Sequence, residues 1–90
     1  MIEEVLAERE AQYGTYAGQA EIAQGLKDYI RGQLEDRNRV LLADQSEALD
    51  MIFSKIARIV NGNPDHIDSW MDIAGYAKLV ANRLEKEATE

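Results

Sequence analysis

"SEALDMIFSKIARIV", residues 46–60, is the stretch on which the fold turns. Leu49, Ile52, Phe53, Ile56, Ile59 and Val60 fall at i, i+3, i+4, i+7, i+10 and i+11, the repeat of one helix face and not the alternation of a strand. That face is predicted to be core. Asp44, with Glu47 three residues later, predicts a start near residue 45, because carboxylates at this spacing can accept from the free N–H groups of a first turn. Gly62 predicts the end near residue 61, since a residue without Cβ enters the left-handed conformation common just past a helix.

Working outward, Asn63 and Pro64 read as N-cap and first-turn residue of a final helix over 64–87, which runs into an acidic tail, "EKEATE". So short a turn makes the last two helices an antiparallel hairpin. Upstream, Ile22, Ala23, Leu26, Tyr29, Ile30 and Leu34 mark the apolar stripe of a helix over 17–36. "IEEVLAEREAQ" predicts a shorter helix stopped near Gly14, and "DRNRVLLAD" a connector whose apolar part packs on the core. The expected architecture is all-α, a single domain of four helices. A domain this small buries a modest fraction of its surface, so a homo-oligomer is expected to complete the core.

Composition removes several function classes. With 46% hydrophobic and 30% charged residues, one proline and no low-complexity tract, the chain is predicted to fold rather than stay disordered. Seventeen acidic against ten basic residues give a net charge of −7, which repels a polyanion and argues against duplex nucleic acid as a partner. The absence of cysteine excludes disulfides, thiol nucleophiles and thiolate zinc sites. An acidic N-terminus without a long apolar run reads as neither signal peptide nor membrane span, so a cytoplasmic protein is expected.

The groups that could carry chemistry concentrate in the C-terminal half. Lys55 and Arg58, three apart, project from one side of the third helix, and Asp68, Asp72 and Tyr76, at i, i+4 and i+8, form a polar ridge on the fourth. Across a hairpin the two sets can face each other, either as an interhelical salt-bridge network or as a polar pocket in which the cations hold phosphate oxygens. In the N-terminal half, "REAQYGTY" sets Arg9, Tyr13 and Tyr16 around a break at Gly14, where backbone N–H groups become available to a base or phosphate. Trp70 reads as core or subunit interface, and His66 as a surface or capping residue in the first turn of the last helix. Ser46 and Ser54 have no nearby histidine base, which leaves a Ser/His triad unsupported. Glu47 and Asp50 form an ExxD pair that, with Asp72, offers candidate ligands for Mg²⁺.

These pieces, "REAQYGTY" followed after a helix by "ALDMIFSKIARIVNGNPDHIDSWMDIAGYAKLVANRL", resemble a group of small phage-encoded domains of unknown function. In that group an R-x(3)-(H/Y)-G segment precedes a K-(I/L)-A-R helix and a D-x(3)-D-(I/A)-A-G-Y-A helix. The group is similar, more distantly, to all-α MazG-type nucleotide pyrophosphatases, oligomeric bundles that hydrolyse nucleoside triphosphates with Mg²⁺. The resemblance implies a phage source acting in the host cytoplasm. It also implies a nucleotide pocket built from Lys55, Arg58, Asp68, Asp72 and Tyr76 and closed by Arg9 and Tyr13. MazG-type enzymes hold their metals with an ExxE and an ExxD segment; "EALD" matches the second, and nothing here matches the first.

A nucleotide-sized pocket without a full set of metal ligands would bind and not turn over. The leading expectation is therefore a protein that binds a nucleotide or cyclic-nucleotide signal and sequesters it from host antiviral defence. Its ligand-binding residues would be Arg9, Tyr13, Gly14, Lys55, Arg58, Asp68, Asp72 and Tyr76. The alternatives are a Mg²⁺-dependent (d)NTP pyrophosphohydrolase and an acidic inhibitor of a host protein.

Overall fold

A computed structural model describes residues 1–89. It is all-helical, with α1 over Ile2–Tyr13, α2 over Tyr16–Asp36, α3 over Ala43–Asn61 and α4 over Ile67–Thr89. Thr15 opens α2 by accepting from the Gly18 N–H at 3.1 Å. At the other end of α2, Asn38 takes a left-handed φ of 52°. The Asn38 N–H donates to Glu35 O and the Arg39 N–H to Leu34 O, so a Schellman-type turn closes the helix.

Three local expectations are corrected. The start of α3 is set at Leu42, whose N–H donates to Gln45 Oε1 at 2.9 Å, and Asp44 lies inside the first turn. Asp44 receives Arg83 of α4 instead, through two hydrogen bonds of 2.8 Å. Gly62 is not left-handed: its φ is −131°, and glycine is required because a Cβ there would sit 2.3 Å from Gln12 O. Finally, Asn63 and Pro64 do not open α4. Asn63 Oδ1 accepts from the Asp65 N–H and Asn63 O from the His66 N–H, which makes Asn63–His66 a turn with proline at its second position. His66 therefore precedes the helix, and Trp70 Nε1 donates back to Pro64 O at 2.7 Å to fix the entry.

The packing is a layer of helices. α3 lies at the centre, with α2 along one side and α4 along the other, and α2 and α4 do not touch each other. α1 lies across one end of α2 and α3. A single layer encloses little: the buried apolar residues are Ala23, Ala48 and Ala57, and Ser69 is the small residue that lets α4 approach α3. Leu49, Ile52, Phe53, Ile56 and Ile59 are only half-buried, and Val60 is 67% exposed, so the α3 stripe expected as core is open to one side. Of the 37–42 connector, Leu41 is half-buried and borders a groove with Leu49 and Phe53, as expected, while Val40 and Leu42 are exposed and leave the rest of the stripe open. No helix among the described residues is long and apolar enough to cross a membrane.

Candidate functional site

Two turns far apart in sequence are clasped at the end of the layer where α1 meets α3. Asn61, the last residue of α3, donates through Nδ2 to Tyr13 O at 2.8 Å and to Thr15 O at 2.9 Å. The Asn63 N–H donates to Gln12 O at 2.7 Å, adding a backbone bond between the turns. Such close approach is why glycines stand here. A Cβ on Gly14, whose φ is +75°, would lie 2.2 Å from Asn61 O, and one on Gly18 would lie 2.5 Å from Asn61 Oδ1.

The clasp fixes Tyr13. One face of its ring receives the Arg58 guanidinium, with Cζ 4.5 Å from the ring centroid. The His66 ring meets it edge-on at 5.5 Å, and the Tyr13 hydroxyl lies 3.5 Å from His66 Nε2. His66 Nε2 is in turn 3.6 Å from Asp68 Oδ2. Asp68, His66, Tyr13 and Arg58 thus form one chain of contacts, each orienting the next.

A cavity of about 330 Å³ opens beside this chain. Arg9 and Glu10 from α1, Tyr16 and Gln19 from α2 and Arg58 from α3 supply its polar wall, and Leu6 an apolar edge. Arg58 Nε is buried without a hydrogen-bond partner, and neither Arg58 nor Arg9 has a carboxylate within ion-pair distance among the described residues. In a chain of charge −7, two unpaired guanidiniums on one cavity form a local site of opposite sign.

The residues singled out in the sequence are divided by the fold. Arg9, Tyr13, Gly14 and Arg58 come together on the cavity. Lys55 leaves that group: it is 12% exposed and its Nζ pairs with Asp72 Oδ2 at 3.0 Å, a bridge between α3 and α4. Tyr76 borders shallow grooves on α4, one of them shared with Asp72 and Leu79, and Asp68 reaches the cavity only through His66. Glu47 and Asp50 border different grooves, and among the described residues no three His, Asp or Glu side chains gather to hold a metal. The Mg²⁺ ligand set formed by Glu47, Asp50 and Asp72 is therefore not brought together.

Asn61, Gln19 and Glu10 escape a reading by spacing. The only sequence signal is that "YGTYAG" crowds small residues and "NGN" amides at a helix end; nothing in either says that the two meet. Neither the curated proteins nor the solved structures contain a match to this chain. A domain family described as a domain of unknown function, DUF6378, matches residues 2–84, and the chain belongs to that family.

Proposed function

We propose that the chain binds an anionic, aromatic small molecule of the nucleotide type in the α1–α3 cavity and holds it unchanged, as an oligomer. The observation that carries this reading is Arg58: a guanidinium stacked on Tyr13, with a buried and unpartnered Nε, at the wall of a cavity shared with Arg9. The Nε is closed to solvent and keeps the guanidinium fixed, while the unpaired Nη nitrogens of Arg58 and the Arg9 guanidinium remain to hold a phosphate in charge-assisted geometry. Tyr16, 81% exposed at the rim, offers an open ring for a base to stack on, and Gln19 and Glu10 offer an amide and a carboxylate for base or ribose edges. Among the described residues Glu47, Asp50 and Asp72 border separate grooves, a separation more in keeping with retention than with two-metal hydrolysis. Together with the resemblance to phage-encoded domains, this favours sequestration of a nucleotide signal.

The test is to incubate the purified chain with dNTPs, cyclic dinucleotides and cyclic trinucleotides, filter it, and chromatograph both the filtrate and the denatured retentate. Intact nucleotide released only on denaturation is the expected result. Monophosphate in the filtrate would instead identify a hydrolase, and an unchanged filtrate would remove the nucleotide reading. Arg58→Ala and Arg9→Ala should each weaken retention about 10- to 100-fold, the range of one charged hydrogen-bond contact.

A further inference from the structure

The open stripe of α3 continues onto α4. Lys55–Asp72 and Asp44–Arg83 mark one edge of the α3–α4 seam. Round the helices from that edge, spacing places Leu49, Ile52, Ile56 and Val60 on α3 beside Ile73, Ala77 and Leu84 on α4, with Trp70 at the end of the row. None of these is fully buried; Val60, Trp70 and Leu84 are exposed, and the row includes no charged side chain.

The molecule has the dimensions of half an object. Its Cα radius of gyration is 15.5 Å and its extents are 50 × 29 × 22 Å, whereas a compact chain of this length has a radius of about 12 Å. Its accessible surface is 6730 Å², against about 5,300 Å² for a compact monomer of the same mass. The excess, roughly 1,400 Å², is more than the ~800 Å² each partner contributes to a stable interface.

We infer that the occupant of this face is a second copy of the chain, stacked layer on layer so that the two α3 stripes and α4 rows form the core that one layer lacks. An acidic or basic partner has nothing to pair with on an uncharged strip, whereas an identical strip is self-complementary about a two-fold axis. This names the contact behind the oligomer proposed above but does not depend on the ligand. Arg58 is two residues from both Ile56 and Val60, hence on the opposite side of α3, and both cavities of the dimer face outward.

Sedimentation equilibrium of the full chain from low to high micromolar, with helicity followed by circular dichroism, tests it. Wild type should show the mass of two chains or an even multiple. Ala77→Glu, an exposed helix position given a strong helix former, and Val60→Glu should each halve that mass while keeping helicity. Leu79→Glu, an exposed apolar position on the ion-pair edge, should leave it unchanged. A single-chain mass for wild type, dimers that survive both strip variants, or dissociation by Leu79→Glu overturns the inference. Nucleotide retention measured on the Ala77→Glu monomer keeps the two proposals apart, since it should persist whether or not the chains are paired.

Discussion

Asn61 is one amide serving two turns. Its Nδ2 satisfies the carbonyls of Tyr13 and Thr15, so Asn61→Ala leaves both short of a donor and should cost about 1–3 kcal/mol, read as a lowered urea midpoint. The same variant should lower nucleotide retention, because the clasp is what holds Tyr13 under Arg58. Gly14→Ala should be at least as damaging: φ 75° with ψ −169° is backbone open essentially only to glycine, costing another residue about 1–3 kcal/mol, and the new methyl group meets Asn61 O. Residue identity announced the need for glycine at 14 and 62 but not the cause. At Gly14 both backbone angle and proximity demand it, whereas at Gly62 proximity alone does, and a sequence shows the two cases alike.

The helices themselves were legible to within a few residues, since period and breakers are local properties. Boundaries failed where one residue type serves two purposes. Asn-Pro can open a helix or a turn, and here Asn63 closes a turn on Asp65, which moves the start of α4 to Ile67. Aspartate before an apolar run can cap a helix or reach across to another, and Asp44 reaches Arg83. The hydrogen bonds from Arg83 hold the Asp44 carboxyl below its ordinary value of 3.8. A carboxyl with a depressed folded pKa contributes stability that is fully present above that ordinary value and is lost as pH falls through the folded one. Acid unfolding of wild type should therefore steepen below about pH 4, and Asp44→Asn should flatten that limb in a circular-dichroism titration. At neutral pH, Asp72→Asn should destabilise by about 1 kcal/mol, because it leaves Lys55, whose side chain is largely covered, without its half-exposed anion. Under the pyrophosphohydrolase reading, with Asp72 a candidate Mg²⁺ ligand, the same substitution would instead abolish turnover without loss of fold.

At the scale of the whole molecule, periodicity identifies an apolar face but not what covers it. The stripe of residues 49–60 was correctly read as a helix face, yet within one chain it is only half-covered, because α2 and α4 sit beside α3 and never meet over it. The candidate site was legible in pieces: Arg9, Tyr13, Gly14 and Arg58 converge, while Lys55, Asp72 and Tyr76 belong elsewhere, since side chains three or four apart share a helix face but not a neighbour. Salt should act oppositely on the two proposed associations. Raising ionic strength screens phosphate from Arg9 and Arg58 and weakens retention. It also screens the repulsion between two chains of charge −7 and strengthens an uncharged interface, so filtration and sedimentation should move in opposite directions over one salt series.

α1 contains no buried residue, and its carboxyl-terminal turn is tied to the rest of the chain chiefly by the bonds at Gln12, Tyr13 and Thr15. Amides of Ile2–Tyr13 should then exchange with deuterium at a free energy far below that of global unfolding, as one cooperative unit pivoting at Gly14. A ligand bridging Arg9 on this helix to Arg58 on α3 adds a second attachment, so occupancy and the order of the N-terminal helix become a single equilibrium. Slower exchange confined to that segment would report binding without any label on the ligand.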